Sequence, residues 1–412
     1  MSRGGLQEWR SVELAEISQC PIVYGIVQPG PNIDCGVPYI NSGDVGCLDL
    51  FRLARTSTEI AANYPRSRVV GGDLVIALRG EIGRCAVVPD ELSGANLARG
   101  VAVLRPLETV NPRFLRMMLD TAVVKRQMYR ATNGSALREI PVSALRKIEV
   151  SMPPSEVQAA IVDVVTSWDQ AIDTCTRLIE NARHQKRALA QQLLTGKRRL
   201  PGFDGAWPEQ SIGRIAERIQ RRGDGGEHPI LMISSTRGWV RQDEMYARYM
   251  AGESARSYIL LRRGEFAYNK GNSKSYPCGC VFPLAEFDSG LVPHVYFCFK
   301  FTENIDPVFY QHYFEANLLD RQLRRVINTG VRNNGLLNLR PADFFACEVP
   351  VPPLEEQQAI ARVLTQASDL VRQYERQRKL LELEKRALMQ QLLTGRRRLP
   401  VSGESDPVRA EG

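Results

Sequence analysis

The sequence predicts an α+β protein built as two copies of one plan. A motif that starts Met-Pro-Pro at Met152 returns as Val-Pro-Pro at Val351, and each copy ends in a Thr-Gly pair with basic residues after it. Met152 and Val351 are 199 residues apart, and so are the closing glycines Gly196 and Gly395. A long repeat with one fixed period indicates two half-molecules in one chain. Outside the copies, short β-rich runs and helical segments predict a mixed α/β domain in each half.

The repeated motif itself predicts a long helix in each half. Ser155 and Gln158 have the spacing of a capping box, while Glu355 and Glu356 stand in a first turn whose free N–H groups favour negative charge. The closing glycines suit the left-handed conformation that ends a helix. Apolar residues recur along both copies with a heptad spacing, which predicts a coiled-coil seam. We expect this seam to contain Ile161, Val165, Trp168, Ile172, Ile179, Leu189 and Leu193 in the first copy, and Ile360, Leu364, Val371, Tyr374, Leu381, Leu388 and Leu392 in the second.

A seam in one copy alone is also typical of a helix that packs only on its own domain. Two equal copies favour the arrangement in which each helix is the partner of the other. The antiparallel orientation is the simpler one, because it keeps the adjoining domains clear of each other. The sequence therefore predicts two α/β domains separated by two long helices that form an antiparallel coiled coil. The predicted boundaries are 1–151 for the first domain, 152–200 for the first helix, 201–350 for the second domain, 351–400 for the second helix and 401–412 for a disordered tail.

The two halves share more than the helices. The segment Trp9–Ile17 matches Trp207–Ile215 at an offset of 198 residues. A single basic helix is expected from Asn111 to Arg130, and its counterpart runs from Asp306 to Arg325. The strands expected in the first half lie near residues 37–40, 72–79, 84–88 and 101–105, and those in the second half near residues 230–235, 264–270 and 295–300.

Composition sets limits on the class of protein. The 54 basic and 46 acidic residues give a net charge of +8, which permits a polyanionic partner without requiring one. No apolar run approaches the length of a membrane span, and the first residues lack the apolar core of a signal peptide. We therefore expect a cytoplasmic protein with no membrane partner. The nine cysteines are scattered without a C-x-x-C pair and the four histidines do not cluster with them, so no metal site is expected.

Known catalytic patterns are missing from the chain. No lysine has an Asp or Glu two positions before it, so the [DE]-x-K element of many metal-dependent nucleases is absent. The run at Leu194-Thr-Gly-Lys lacks the upstream glycine and the hydroxyl residue of a phosphate-binding Walker A loop. We predict no catalytic residues and interpret the chain as a binding module.

Polar loops and basic helices are the candidate binding surfaces. Arg and Lys pair with guanine and Asn pairs with adenine, while basic helix positions suit phosphates. Solvated helix faces and ordinary turns carry the same residue types, which is the plainer interpretation. The base-contact candidates are Arg79, Glu81, Asn133, Ser135, Asn272, Lys274, Tyr276, Arg332, Asn333 and Asn334. The phosphate candidates are Lys270 and two basic sets expected at corresponding helix positions, Lys125, Arg126 and Arg130 in the first half and Arg321, Arg324 and Arg325 in the second.

Four motifs carry a family likeness. They are Pro-Pro-Leu-Glu-Glu-Gln-Gln-Ala-Ile from Pro352, Leu-Met-Gln-Gln-Leu-Leu-Thr-Gly ending at Gly395, Phe-Asp-Gly-Ala-Trp-Pro from Phe203, and Gly-Glu-Phe-Ala-Tyr-Asn-Lys-Gly from Gly264. As a set they resemble the specificity subunit of type I restriction-modification systems, over residues 9–400 of the chain. Ser155 and Val157 depart from the pattern, because they replace the Leu and Glu of the usual helix start.

The resemblance implies two target-recognition domains, each of which reads one half of a bipartite site in double-stranded DNA across an unread spacer. It implies that the helices dock two methyltransferase subunits and that motor-nuclease subunits join for restriction. S-adenosylmethionine, ATP and Mg²⁺ would then bind to those partners, with no cofactor in this chain, and the setting would be a bacterial or archaeal cytoplasm. The alternative is a non-catalytic coiled-coil scaffold that binds proteins rather than DNA. Strongly salt-dependent binding to duplex DNA would distinguish the two, since only phosphate neutralisation releases counterions.

Overall fold

The computed structural model describes residues 9–134, 138–234, 237–245, 257–271, 273, 276–327 and 337–399. The chain forms two compact units. Unit 1 contains residues 1–174 and 378–412, and unit 2 contains residues 175–377. Each unit thus includes the first part of one long helix and the last part of the other. Across the described residues, no helix combines the length and the apolar character that a membrane crossing needs.

Unit 1 is built on a four-stranded antiparallel sheet. The strands of unit 1 are β1 (Arg10–Glu13), β2 (Val23–Tyr24), β3 (Val37–Ile40), β4 (Arg55–Thr56), β5 (Leu74–Ala77), β6 (Cys85–Val87), β7 (Asn96–Leu97), β8 (Val101–Leu104) and β9 (Glu149–Met152). Its helices are α1 (Thr58–Ala62), α2 (Pro112–Leu119), α3 (Ala122–Arg130), α4 (Val142–Leu145) and the first part of α5 (Ser155–Leu193), with short 3₁₀ turns at Asp44–Gly46, Pro65–Ser67 and Asp90–Leu92. The main sheet has the order β2-β8-β5-β6, β3 pairs with β4 and β7, and β1 pairs with β9.

The main sheet of unit 1 is covered on both faces. Leu74 and Ile76 of β5 lie in one apolar cluster with α2 and α5. Val75 and Ala77 point the other way, into a second cluster with β3 and β7. A strand buried on both faces has a continuous apolar run instead of an alternating one, as β5 has.

Unit 2 repeats this plan. Its strands are β10 (Glu209–Ser211), β11 (Ala216–Ile219), β12 (Leu231–Ser234), β13 (Gly238–Arg241), β14 (Ile259–Arg262), β15 (Phe266–Asn269), β16 (Cys280–Pro283), β17 (Ser289–Val292), β18 (Phe297–Phe301) and β19 (Glu348–Pro350). Its helices are α6 (Ile212–Ile215), α7 (Gln242–Met245), α8 (Pro307–Glu315), α9 (Asp320–Val326), α10 (Pro341–Phe345) and the first part of α11 (Leu354–Leu393). The main sheet has the order β11-β18-β15-β16, and β12 pairs with β13, β14 with β17 and β10 with β19.

Aromatic rings fill the core of unit 2 where unit 1 has aliphatic side chains. Phe266 and Tyr268 of β15 face α8 and α10, and the Tyr268 ring stacks on Phe344 with ring centroids 4.7 Å apart. The Tyr268 hydroxyl donates a hydrogen bond to the carbonyl oxygen of Cys278 at 2.6 Å. This bond satisfies the one polar atom that the buried ring brings into the core.

The long helices pair in antiparallel fashion within each unit. In unit 1, Ile161 of α5 lies in one apolar cluster with Leu392 of α11. Further along α5, Asp169 forms an ion pair with Lys385, which comes earlier in α11. Residue numbers therefore rise along one helix where they fall along the other, so the two helices are antiparallel.

The same direction holds in unit 2. The Cys175 thiol donates to the carbonyl oxygen of Tyr374 at 3.2 Å. Leu193, nearer the end of α5, lies in one cluster with Ile360 near the start of α11. The predicted antiparallel coiled coil is thus confirmed in each unit. All of the predicted seam residues are buried or half-buried.

Both long helices end as the sequence predicts. Gly196 and Gly395 each have a φ of 68°, in the left-handed region that glycine adopts without steric cost. The ring of Trp207 packs where a side chain at Gly196 would project, with a carbon 3.1 Å from the ideal Cβ position, and Trp9 lies 3.6 Å from that of Gly395. The equivalent tryptophans of the two halves, Trp9 and Trp207, therefore each close the end of one long helix.

The predicted single helix from Asn111 to Arg130 is wrong. The chain breaks after α2, where Thr121 adopts an extended conformation and its hydroxyl accepts a hydrogen bond from the N–H group of Val124. An N-cap of this kind starts a new helix, α3. The second half breaks in the same region between α8 and α9, where Asn317 has a φ of 56°.

The capping box predicted at Ser155 and Gln158 is also wrong. The Gln158 side chain donates to the carbonyl oxygens of Thr109 and Pro153 and accepts from the N–H group of Asn111. Its oxygen, the acceptor that a capping box needs, is therefore used by the N–H group of Asn111 instead of that of Ser155. This buried amide fixes the start of α2 against the start of α5.

Unit 2 has the same anchor at Gln357, which is 199 residues after Gln158. The Gln357 side chain accepts from the N–H group of Asp306 at 2.8 Å and donates to the carbonyl oxygen of Pro352 at 2.7 Å. Asp306 caps α8 as Asn111 caps α2. The two anchors show that α2 and α8 are equivalent, with an offset of 195 residues.

Replacing this anchor tests its contribution to stability. Gln357→Ala leaves the N–H group of Asp306 and the carbonyl of Pro352 unpaired in a buried place, so we expect the free energy of unfolding to fall by about 1–3 kcal/mol. Gln358→Ala is the matched control, because Gln358 is exposed and its loss should change stability by less than ~0.5 kcal/mol. Denaturant unfolding of the full chain measures both, and equal effects of the two substitutions would contradict the role of Gln357.

Candidate nucleic-acid interface

In unit 1 the candidate interface starts with the loop 78–84 between β5 and β6. Gly83 in this loop has a φ of 76°, and an ideal Cβ there would lie 2.6 Å from the Sδ atom of Met128 in α3. Only glycine permits both the backbone conformation and this close approach. The loop is therefore held directly on the basic helix α3.

A second segment, around residues 133–139, joins the same surface. The Arg79 Nε atom lies 3.0 Å from a carboxylate oxygen of Glu139. The N–H group of Asn133 donates to the carbonyl oxygen of Glu139 at 2.9 Å, and that of Ile140 donates to the carbonyl oxygen of Leu78 at 3.0 Å. The structure thus brings together the base-contact candidates Arg79 and Asn133, which are far apart in the sequence.

Charge pairing divides the candidates of unit 1 into two groups. Glu81 forms an ion pair with Arg84, and Lys125 lies 3.0 Å from a carboxylate oxygen of Asp120. These side chains would have to exchange a protein partner for a nucleic-acid partner. Arg126 and Arg130 are exposed on the outer face of α3, and the Arg126 Nε atom donates only to a backbone carbonyl within its helix. Their geometry suits contact with phosphates.

Two further residues of this surface were not predicted from the sequence. The Arg138 guanidinium lies over the Tyr129 ring, 4.6 Å from its centroid. Tyr129 remains 58% exposed on α3. An exposed ring and a planar cation are groups on which bases stack. No sequence pattern pairs these residues, because the contact depends on the return of the chain at residues 138–140 towards α3.

A cleft of about 450 Å³ lies between the loop 78–84 and the helices of unit 1. Its lining carries both signs of charge. Arg84, Arg116 and Lys125 are the basic residues, and Glu81 and Asp120 are the acidic ones. Such a lining offers donors and acceptors for hydrogen bonds to the polar edges of nucleic-acid bases.

In unit 2 the corresponding loop is 270–279, between β15 and β16. The Lys270 ammonium lies 5.5 Å from the centroid of the Phe297 ring. Tyr276 is half-buried, with its ring 5.9 Å from that of Phe282. Burial, together with the charge of Glu315, raises the pKa of the Tyr276 phenol, which therefore keeps its proton at neutral pH.

The two basic helices correspond less closely than the sequence suggested. Gln127 of α3 exchanges two hydrogen bonds with the backbone of Glu149, and Gln322 of α9 does the same with Glu348. Gln127 and Gln322 are therefore equivalent, with an offset of 195 residues. It aligns Arg126 with Arg321 and Arg130 with Arg325, but it places Asp320 opposite Lys125 and Tyr129 opposite Arg324. The predicted match of all three basic positions is therefore corrected to two.

The three arginine candidates of unit 2 lie on one short helix. Arg321, Arg324 and Arg325 are exposed on α9. Arg324 comes within 3.7 Å of the Asp320 carboxylate, whose pKa is raised because burial outweighs the attraction of Arg324. The remaining candidates, Ser135, Asn272, Lys274, Arg332, Asn333 and Asn334, lie outside the described residues.

The chain is similar to known specificity subunits. Residues 8–183 match the family model for the type I restriction modification DNA specificity domain. The chain is 29% identical to the EcoBI specificity subunit of Escherichia coli over 236 residues, which are 54% of this chain and 50% of that protein, so the chain spans about half the length of this relative. It is 23% identical to a protein described as the type I restriction enzyme MjaX specificity subunit of Methanocaldococcus jannaschii, over 85% of this chain and 84% of that protein.

Solved structures share the fold. The HsdS subunit from Thermoanaerobacter tengcongensis superposes with a TM-score of 0.53 at 17% identity, over 94% of this chain and 96% of that chain. A chain from structural work on assembly and conformational transition of the type I R-M system gives 0.59 at 16% identity, over 94% and 97%. The S subunit from M. genitalium gives 0.51 at 13% identity, over 95% and 98%. These likenesses confirm the predicted α+β class.

The chain is therefore similar to type I restriction-modification specificity subunits, and residues 8–183 match the model of their DNA specificity domain. The resemblance seen in the four sequence motifs is thereby confirmed.

The outer face of α3 generates a test of phosphate contact. Arg126→Gln with Arg130→Gln should lower the slope of log K against log salt for duplex DNA by about 0.9 for each phosphate that the two arginines neutralise. Fluorescence anisotropy with labelled duplex, in a series of salt concentrations, measures the slope. The matched control removes the exposed Arg10 and Arg113, which lie outside this surface. A slope equal to that of the control would mean that α3 does not touch the DNA backbone.

Proposed function

We propose that this chain gives a type I restriction-modification complex its DNA sequence specificity, with each unit reading one half of a bipartite site. The observation that carries this proposal is the repeat of one architecture with different loops. Each unit has its own core, its own main sheet and the same glutamine anchor, at Gln158 or Gln357. Two similar readers in one chain suit a site with two halves.

The two units have equivalent strands but different loops. The loop after β5 covers residues 78–84, whereas the loop after β15 covers residues 270–279 and is three residues longer. The equivalence of the flanking strands is supported by Cys85 and Cys280, which begin β6 and β16. Different loops on equivalent strands favour different half-site sequences.

Exposed leucines on the long helices support a docking role. Leu380 is 58% exposed and Leu383 is 49% exposed in the part of α11 that belongs to unit 1. Leu178 and Leu370 are 40% and 38% exposed in unit 2. Large apolar side chains on the outside of a helix pair favour contact with another protein. We propose that two methyltransferase subunits dock on these faces and that motor-nuclease subunits join them.

The chemistry would lie in those partners. S-adenosylmethionine would bind to the methyltransferase subunits, and ATP and Mg²⁺ would serve the partner subunits in restriction. This chain would supply recognition without catalysis, in the cytoplasm of the cell that makes it.

Exchange of one reading segment tests the proposal. Residues 18–145 lie between β1 and β9, so their replacement by the equivalent segment of a specificity subunit with a known motif keeps the strand pair that joins the domain to α5. We expect one half of the methylated motif to change to the donor's half-site and the other half to stay. Exchange of the equivalent segment in unit 2, residues 216–344, should change the other half. Mapping of methylated adenine in cells that also express the methyltransferase partner measures both results.

A change in both halves after one exchange would contradict the assignment of one half to each unit. An unaltered motif, with the partner shown to be bound and active, would contradict DNA reading by the exchanged segment.

A further inference from the structure

Unit 2 contains a basic cleft between its two long-helix segments and α8. The cleft has a volume of about 900 Å³. Its lining includes four cations, Arg183, Lys186 and Arg187 from α5 and Arg372 from α11, and one carboxylate, Glu315. None of these residues was predicted from the sequence, because the cations are spread over two helices that meet only in the fold.

The single carboxylate of the cleft is already satisfied. A Glu315 oxygen lies 3.1 Å from the Lys186 ammonium, and the Gln311 amide donates to its other oxygen at 2.9 Å. His312 lies 3.5 Å away. Burial would raise the pKa of Glu315, but the nearby His312, the charge of Lys186 and the hydrogen bond from Gln311 hold this pKa at about 2. Glu315 is therefore ionised and neutralises Lys186.

The three arginines present guanidinium groups at the cleft, and two of them are already paired with carboxylates. Arg183 and Arg372 form ion pairs with Glu375 and Asp369, and each of these arginines remains more than half exposed. The Arg187 Nε atom donates to the carbonyl oxygen of Arg183, and within the described residues Arg187 has no carboxylate partner. An anion that enters the cleft would meet guanidinium groups from both helices.

Two of the four cationic positions of the cleft carry acidic residues in unit 1. Along the long helices the offset is 199 residues, so Glu382 stands where unit 2 has Arg183, and Asp173 stands where it has Arg372. Asp169 replaces Ser368, and it forms the ion pair with Lys385, the equivalent of Lys186. The cleft is therefore more basic than the equivalent region of unit 1, where only Lys186 and Arg187 have basic counterparts, Lys385 and Arg386.

Tyr276 connects the cleft to the candidate interface. This residue belongs to the loop 270–279 and also lines the cleft. Its protonated hydroxyl is a hydrogen-bond donor, and arginines with a phenol form a donor set that suits phosphate oxygens. A nucleic-acid backbone next to the loop would lie beside the cleft.

We propose that this cleft is a phosphate-binding site, and that it takes backbone phosphates of duplex DNA next to the half-site read by unit 2. The identification of DNA as the source of the phosphate rests on the proposed function. Free phosphate or a polyphosphate is the other source with the same chemistry.

A double substitution in the full chain tests the cleft. Arg187→Gln with Arg372→Gln should lower the slope of log K against log salt for labelled duplex DNA by roughly one to two, since each neutralised phosphate contributes about 0.9. The control is Arg376→Gln with Arg386→Gln, which removes two exposed cations outside the cleft, one of them equivalent to Arg187. Arg187→Lys with Arg372→Lys keeps the charge and should keep most of the binding. Thermal unfolding of each variant verifies that it is folded.

A second arm uses inorganic pyrophosphate, with binding measured by isothermal titration calorimetry. If DNA binding falls in the double variant and not in the control, the cleft takes backbone phosphates. If DNA binding is unchanged but the double variant alone loses pyrophosphate, the cleft takes free phosphate.

If the double variant binds both duplex DNA and pyrophosphate as the control does, the proposal is overturned. If the unaltered chain fails to bind duplex DNA, the proposed function fails, and the pyrophosphate arm still decides on the cleft.

Discussion

The fold depends on packing between helix segments that lie far apart in the chain. The core of unit 1 includes Ile161 from the start of α5 and Leu392 from the end of α11. The core of unit 2 includes Leu193 and Ile360, from the other two ends. Because neither unit completes its apolar cluster with one continuous segment, the antiparallel pairing is required for both. A buried glutamine in each unit then fixes α2 or α8 on this pair, so the candidate loops of both units are held on the same kind of support.

Because both units have the same support, their loops and surface charges can differ without a change of architecture. The strands and anchors are equivalent, but the loop after β15 is longer than the loop after β5. Charge differs as well, since Arg372 and Asp173 occupy equivalent positions on the paired helices. One architecture therefore presents two different surfaces, which is what recognition of two unlike half-sites requires.

The sequence alone predicted the features that depend on local pattern. The period of the repeat, the heptad seam and the glycine ends of the helices follow from spacing and from the conformational freedom of Gly196 and Gly395. The break at Thr121 was missed because an apolar, basic run continues across it and only the hydroxyl contact starts a new helix. The stacking of Arg138 on Tyr129 and the basic cleft were missed because both depend on tertiary contacts between separate segments.

We propose that one chain carries two independent readers of DNA sequence. The most direct test of this proposal is long-read detection of methylated adenine in DNA from cells that express this chain with its methyltransferase partner, compared with cells that lack this chain. Two independent readers should produce a new split motif, with two short half-sites and an unread gap of constant length between them. A continuous motif, or no new motif while the partner is shown to be bound and active, would contradict the proposal.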